Sequence, residues 1–280
     1  MKRVAVVTDS TVGLPRDLVQ ELNIYVIPEL LIQGNRIFRD GADITPTEVY
    51  RRLRAGQELF TSAAPSVPEF VGVYNTAAGE ASGILSIHMS PDLSSTYKVA
   101  VMASEQVEGV QVRVFNCNTA AIAQGFVVLE AARTAALGAD LDQVVRRAEE
   151  MAAKIRFFFT LDTFEYLRKS GRIRGPAALL GDMLQVRPVL YLPRGTVEVF
   201  ARPRTKHRAI ELILEQMAAQ PTDRPMHAAV AHADVQEEAE ELRQFVAERF
   251  NCAELFLTEF TPVVGAHTGP GLLGIAFYSE

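Results

Sequence analysis

Gly83-Ile84-Leu85-Ser86-Ile87-His88-Met89-Ser90-Pro91-Asp92-Leu93-Ser94-Ser95-Thr96-Tyr97 decides the fold of this chain. Its first five residues make a short apolar run that reads as a strand. From Tyr97 onward the spacing turns helical, with Tyr97, Ala100, Val101 and Ser104 recurring on one side. Strand, polar loop and helix start therefore follow one another without a break. At that start stand three hydroxyls in succession, Ser94, Ser95 and Thr96. The first N–H groups of a helix have no partner inside it and carry partial positive charge, so such an end accepts a carboxylate or phosphate without a basic side chain. A helix cap needs one hydroxyl; three together point to a bound anion.

Outward from this stretch the same alternation continues. Val4–Val7 is a first strand, followed by the loop Thr8-Asp9-Ser10-Thr11 and a helix opened by Pro15. The run Ile24–Ile32 contains Pro28, which marks an edge or an interruption. Thr45-Pro46-Thr47-Glu48 and Ser66-Val67-Pro68-Glu69 are capping boxes for two helices. Between them Thr61-Ser62-Ala63-Ala64-Pro65 reads as a second hydroxyl-bearing loop. Val110–Phe115 is a strand, and Ala120–Leu137 and Asp140–Lys154 are helices. Strands and helices in this order predict a mainly parallel sheet covered by helices on both faces. Beyond Lys154 come the β-prone Ile155–Leu161, a helix over Thr163–Lys169, a loop, an apolar helix over Ala177–Leu184, a hairpin around Pro193-Arg194-Gly195, a helix over Ala209–Met217, and strands at Ala228–Ala233, Leu255–Phe260 and Leu272–Tyr278. The expected architecture is α/β with two α/β domains, residues 1–153 and 154–280.

Composition narrows the function. With 280 residues, 48% hydrophobic and 22% charged, the chain has enough apolar material for two cores. A net charge of −6 argues against general nucleic-acid binding, which rests on phosphate neutralisation. Cys117 and Cys252 form neither a disulfide framework nor a metal-ligand spacing, which fits a reducing compartment. Asp9 cuts the first apolar run too short for a signal peptide, and no run approaches a membrane span. The expectation is a soluble cytoplasmic protein without stable membrane insertion.

Gly269-Pro270-Gly271-Leu272-Leu273-Gly274 matches a dinucleotide-binding pattern, but a β-prone run follows where that motif requires a helix. It reads as a glycine turn into the last strand. His267 just before it is a candidate ligand contact; His88, at a strand end, reads as structural. Arg202–Arg208 and the group Arg168, Lys169, Arg172 and Arg174 are basic clusters in an acidic chain and point to an acidic or anionic partner. Neither a serine-hydrolase elbow nor a Walker sequence is present. Ser94 as nucleophile with His267 as base nevertheless describes an ester hydrolase on paper, and a helix-end hydroxyl cradle also suits a small phosphorylated metabolite.

Val6-Val7-Thr8-Asp9-Ser10-Thr11, Ser90–Tyr97, Asp162–Ile173, Arg204-Thr205-Lys206 and His267-Thr268-Gly269-Pro270-Gly271 occur in this order across nearly the whole chain. Together they resemble the DegV family, the fatty-acid-binding subunits of bacterial fatty acid kinase. The resemblance implies two α/β domains with a long-chain fatty acid in a slot between them, and no cofactor. It also implies that the chain is not itself an enzyme but presents the carboxylate to a separate ATP-using kinase subunit that makes an acyl phosphate, with transient membrane contact for lipid exchange. Ser62, Ser94 and His267, with the backbone N–H of Ser95, would hold the carboxylate, and Thr61 is a neighbouring candidate. Arg172 and Arg204 would face the kinase. Departures from the family pattern include Ala63-Ala64 before Pro65, Ser95 and Ser170 at usual glycines, and Asn116-Cys117 where Asp-Ser is common. They touch the site walls and leave the hydroxyls in place.

Overall fold

The computed structural model describes residues 3–173, 186–221 and 224–280. The helix expected over Ala177–Leu184 lies outside the described residues. In the N-terminal half, β1 (Arg3–Asp9), β2 (Tyr25–Ile27), β6 (Ala81–His88) and β7 (Gln111–Asn116) form a wholly parallel sheet in the order β2-β1-β6-β7. Both faces are covered, which is why the strands read as continuous apolar runs. Val4 and Val6 with Leu85 and Ile87 face α5 (Ala121–Ala136) and α6 (Leu141–Lys154). Ala5, Val7 and Ile84 face α3 (Val67–Glu80) and α4 (Thr96–Ser104) through Phe70, Tyr74, Ala100 and Ala103.

The second half builds a six-stranded sheet in the order β10-β9-β8-β13-β11-β12, from β8 (Arg156–Thr160), β9 (Val189–Tyr191), β10 (Glu198–Ala201), β11 (Met226–His232), β12 (Cys252–Glu259) and β13 (Leu273–Ser279). Only β11 and β12 pair in parallel. One face packs on α8 (Lys206–Ala218) and α9 (Gln236–Arg249) through Phe158, Val230 and Phe277. The alternating residues Phe157, Phe159, Ala229 and Tyr278 turn the other way, into the core that also holds α5. Phe126 of α5 meets Tyr278 edge-on at 5.4 Å. Helix α5 is thus sandwiched between the two sheets, and its apolar residues run around its whole circumference accordingly.

Three elements escaped the sequence pattern. Pro28 does interrupt Ile24–Ile32, but the two pieces enter different sheets: β2 joins the parallel sheet, whereas β3 (Leu30–Gln33) is the centre of a small antiparallel sheet β4-β3-β5. β4 (Arg36–Arg39) returns after a tight turn at Gly34, whose φ is +57°. β5 (Thr61–Ala63), expected as loop, pairs with β3 through Leu31↔Ser62 and Ile32↔Thr61. Finally, α10 (Pro262–Thr268) occupies the segment before the glycine turn and packs on α2 (Pro46–Arg54), β3, β5 and α7 (Glu165–Ser170). Seven residues give too short a helix for periodicity to show; Pro262 after the N-cap Thr261 was its one signal. The glycine turn itself forms as expected, with Gly269 and Gly271 at φ +77° and +93° leading into β13.

Candidate functional site

In a parallel sheet whose chain turns to opposite sides after neighbouring strands, a crevice opens beyond the strands' C-terminal ends. Here that point lies between β1 and β6. The loops after both strands meet β5, α10 and the turn after α7 around a cavity of ≈ 730 Å³, its open mouth included, of which ≈ 110 Å³ admits the centre of a water molecule. Most of the wall is apolar, from Met89, Leu93, Phe157, Phe159, Leu192, Val197, Phe260 and Val263 among others. Thr11, Glu29, Ser62, Ser94, Arg172, His267 and Thr268 supply the polar part.

Two hydrogen-bonded groups make up most of that polar part. In the first, Ser62 Oγ lies 2.8 Å from His267 Nε2 and accepts from Arg172 Nη2 at 3.1 Å. The guanidinium is steadied from behind, where Nη1 donates to the Ser170 carbonyl at 2.7 Å. Burial and the neighbouring Arg172 charge push His267 down to about 3, so its imidazole is neutral at physiological pH. Burial also lowers Arg172, against the opposing pull of Glu29. One strand, one short helix and one turn, far apart in sequence, therefore bring a hydroxyl, a neutral imidazole and a cation together beside apolar walls.

In the second group Ser94 Oγ is 2.8 Å from Thr96 Oγ1 and accepts from the Thr96 N–H at 3.3 Å. Thr96 Oγ1 lies 2.5 Å from Glu29 Oε1. Behind these stands a wholly buried network. Asp9 accepts from His88 Nδ1 at 2.9 Å, from Gln124 Nε2 at 2.9 Å, and from Thr11 Oγ1 at 2.5 Å. His88 Nε2 lies 2.7 Å from Ser86 Oγ, which in turn accepts from Tyr74 OH at 2.8 Å. Burial alone would raise Asp9, but these donors outweigh it and hold the carboxyl below its ordinary range. Asp40, which accepts from Ser10 Oγ at 2.5 Å and from the Val263 N–H at 2.9 Å, is pushed by burial up to about 6.

This geometry sits on a chain whose sequence matches, over residues 3–280, a family model described as an uncharacterised protein of the DegV family. The chain belongs to the DegV family. A DegV domain-containing protein of Streptomyces coelicolor is 36% identical, over 100% of this chain and 99% of its own. Among solved structures, a DegV family protein from Thermus thermophilus, described as fatty-acid binding, superimposes with a TM-score of 0.93 at 34% identity, covering 99% of this chain and 100% of that one. DegV of Bacillus subtilis, described as a fatty acid binding protein, gives a TM-score of 0.93 at 29% identity, with 100% of both chains covered.

Within this DegV fold the residues singled out from sequence divide into two sets. Ser62, Ser94 and His267 all line the one cavity. Arg172, expected to face a partner, lines it too, bonded to Ser62. Thr61 is exposed, because alternation along β5 turns it away from the face that carries Ser62. Ser95, expected to contribute its backbone N–H, is exposed and is the N-cap of α4, and it is Ser94 whose hydroxyl takes a first-turn N–H. Arg204 is exposed and lies outside the cavity wall. The hydrolase pairing of Ser94 with His267 does not form: His267 bonds Ser62, and Ser94 bonds Thr96. Phe157 and Phe159 line the cavity, whereas Phe126–Leu129 are buried in the core. Sequence reading missed Glu29. Its one signal was a lone acid inside the apolar run Ile24–Ile32.

Proposed function

We propose that this DegV protein binds a long-chain fatty acid, with its carboxylate at the Ser62–His267–Arg172 group and its tail along the apolar walls. The observation that carries the reading is a hydrogen-bonded hydroxyl–imidazole–guanidinium group, with Ser94 also in the wall, in a cavity lined mostly by apolar side chains. A buried carboxylate without donors would take up a proton and lose its charge. Donors on a greasy wall are therefore what an amphipathic acid requires. The fatty-acid binding ascribed to the relatives from Thermus thermophilus and Bacillus subtilis supports the same reading.

Energetically the tail dominates. Burying about fourteen methylenes at about 0.8 kcal/mol each gives roughly 11 kcal/mol gross. Association costs of about 4–15 kcal/mol offset much of it. A charge-assisted hydrogen bond at the head adds about 1.5–3 kcal/mol and fixes which end points where.

In this reading the protein performs no chemistry alone and needs no cofactor. A separate ATP-dependent kinase subunit approaches the mouth, and the held carboxylate becomes an acyl phosphate. Arg204, exposed, serves as a docking residue; Arg172 serves the carboxylate directly and reaches the partner only through it. Residues 1–153 carry Ser62 and Ser94, and residues 154–280 close the slot with Arg172, His267 and the phenylalanines. A cytoplasmic location follows from that partnership, with transient membrane contact for lipid exchange; no helix among the described residues is long and apolar enough to cross a membrane.

Mass analysis of small molecules released by denaturing the purified protein tests the reading. A fatty acid is expected. A phosphorylated metabolite, or rapid turnover of a chromogenic ester abolished by Ser94→Ala, overturns it.

A further inference from the structure

Glu29 sits in the crossing between β2 and β3 and is only 2% exposed, yet it forms part of the cavity wall. Its backbone is satisfied, the N–H by Ser10 Oγ at 3.0 Å and the carbonyl by the Asp40 N–H at 2.8 Å. Its carboxyl meets Thr96 Oγ1 at 2.5 Å. Among the described residues it forms no ion pair within 4.0 Å. The charged and titratable groups that act on it are Asp9 from β1, Asp40 from the loop after β4, and Arg172 from the turn after α7. His267 of α10 is neutral, and His88 is engaged with Asp9. A carboxyl out of water and beside two other acids favours its protonated form, and the Arg172 charge only partly opposes this. Burial first, then Asp9, raises Glu29 well above the ordinary glutamate range.

From Glu29 the oxygens continue as a chain, Thr96 Oγ1 and then Ser94 Oγ 2.8 Å further on. Each hydroxyl has a single proton, so the chain runs in one of two directions. With Glu29 protonated, its O–H can donate to Thr96 Oγ1 in place of accepting from it; Thr96 then donates to Ser94, and the Ser94 proton is left for the cavity. With Glu29 ionised, it accepts from Thr96, which accepts from Ser94, and Ser94 then offers only lone pairs to the cavity. The first direction attracts a carboxylate; the second repels it and adds a negative charge nearby.

We infer that Glu29 is a positioning residue, held as the neutral acid so that the Thr96 relay aims the Ser94 hydroxyl as a donor at the ligand's carboxylate. This rests on the fatty-acid reading above. Binding then requires a proton on Glu29, so above the ligand-free pKa of that group affinity falls with rising pH, approaching tenfold per unit for one linked proton.

The test is a titration of hexadecanoate into the wild-type protein and its variants from about pH 6 to about pH 9. The wild-type Kd is expected to rise toward the alkaline end. Glu29→Leu weakens binding throughout. Glu29→Gln, whose amide N–H donates to Thr96 at every pH, recovers most of the loss and flattens the profile. Thr96→Val cuts the relay and gives weak binding with a flatter pH profile. Infrared difference spectra between wild type and Glu29→Gln should contain the carbonyl band of an un-ionised carboxylic acid. Wild-type binding whose pH slope persists in Glu29→Gln, or is unmoved by Thr96→Val, overturns the inference alone. Absence of wild-type binding at every pH overturns the fatty-acid reading and the inference together.

Discussion

Replacing Ser62 by alanine removes one oxygen that serves two partners, His267 Nε2 at 2.8 Å and Arg172 Nη2 at 3.1 Å. In the proposed bound state the same hydroxyl donates to the fatty-acid head. Losing a hydrogen bond to a charged group costs about 1.5–3 kcal/mol. At about 1.4 kcal/mol per decade, that is roughly a ten- to 150-fold rise in Kd. The tail is untouched, so the loss must be the same for every chain length. Titrating a homologous series of fatty acids separates the two contributions. In the wild type, each two-carbon truncation should cost about 1.6 kcal/mol, or roughly fifteenfold. Ser62→Ala should displace that line in parallel. A Kd within about twofold of wild type, or a loss that grows with chain length, would refute the assignment of Ser62 to the head. Unliganded, the variant leaves the His267 and Arg172 groups short of a partner, with an expected loss of about 1–3 kcal/mol in stability by denaturant titration.

Further expectations concern other parts of the site. Arg172→Ala should weaken head binding tenfold or more by calorimetry, whereas Arg204→Ala should leave the fatty-acid Kd unchanged and slow acyl phosphate formation with the kinase subunit. His267 has a lowered folded-state pKa of about 3 against 6.5 unfolded, so the unfolded chain binds the extra proton and stability is lost as pH falls below about 6.5. Between neutral pH and about pH 5 this amounts to about 2 kcal/mol, which His267→Gln should remove from the pH dependence of denaturant midpoints. Gly195 combines φ +80° with a position where an added Cβ would lie 2.4 Å from the Ser90 side chain. Gly195→Ala should therefore lower the unfolding free energy by about 1–3 kcal/mol, and a neutral result would mean that the hairpin shifts freely off the Ser90 loop.

Local rules carried much of the architecture. The capping boxes at Thr45 and Ser66 start α2 and α3 where their residue types require: Thr45 Oγ1 accepts the Glu48 N–H, and Glu69 takes the Ser66 N–H. The doubly covered parallel sheet was legible because strands buried on both faces leave uninterrupted apolar runs. Pro193-Arg194-Gly195 joins β9 to β10, since both flanking runs are β-prone and the turn residues tolerate a reversal. β4 and β5 were not legible. Arg36–Arg39 has charged ends and Thr61–Ala63 small polar residues, and each is a strand only because β3 lies beside it.

The candidate site divides along the same line. By itself the sequence determined the hydroxyl-bearing loop after β6, the helix start behind it, and the motif order that the family resemblance rests on, because all are written in residues adjacent along the chain. Only the tertiary structure decided that Ser62, Arg172 and His267 share one hydrogen-bonded group, since β5, the turn after α7 and α10 converge from positions as far as 205 residues apart. It also decided that Thr61 turns away, that Ser94 answers to Thr96 rather than His267, and that Glu29 is a buried wall residue. Burial and partner distance set those outcomes, and both are properties of neighbours in space that residue order along a chain does not record.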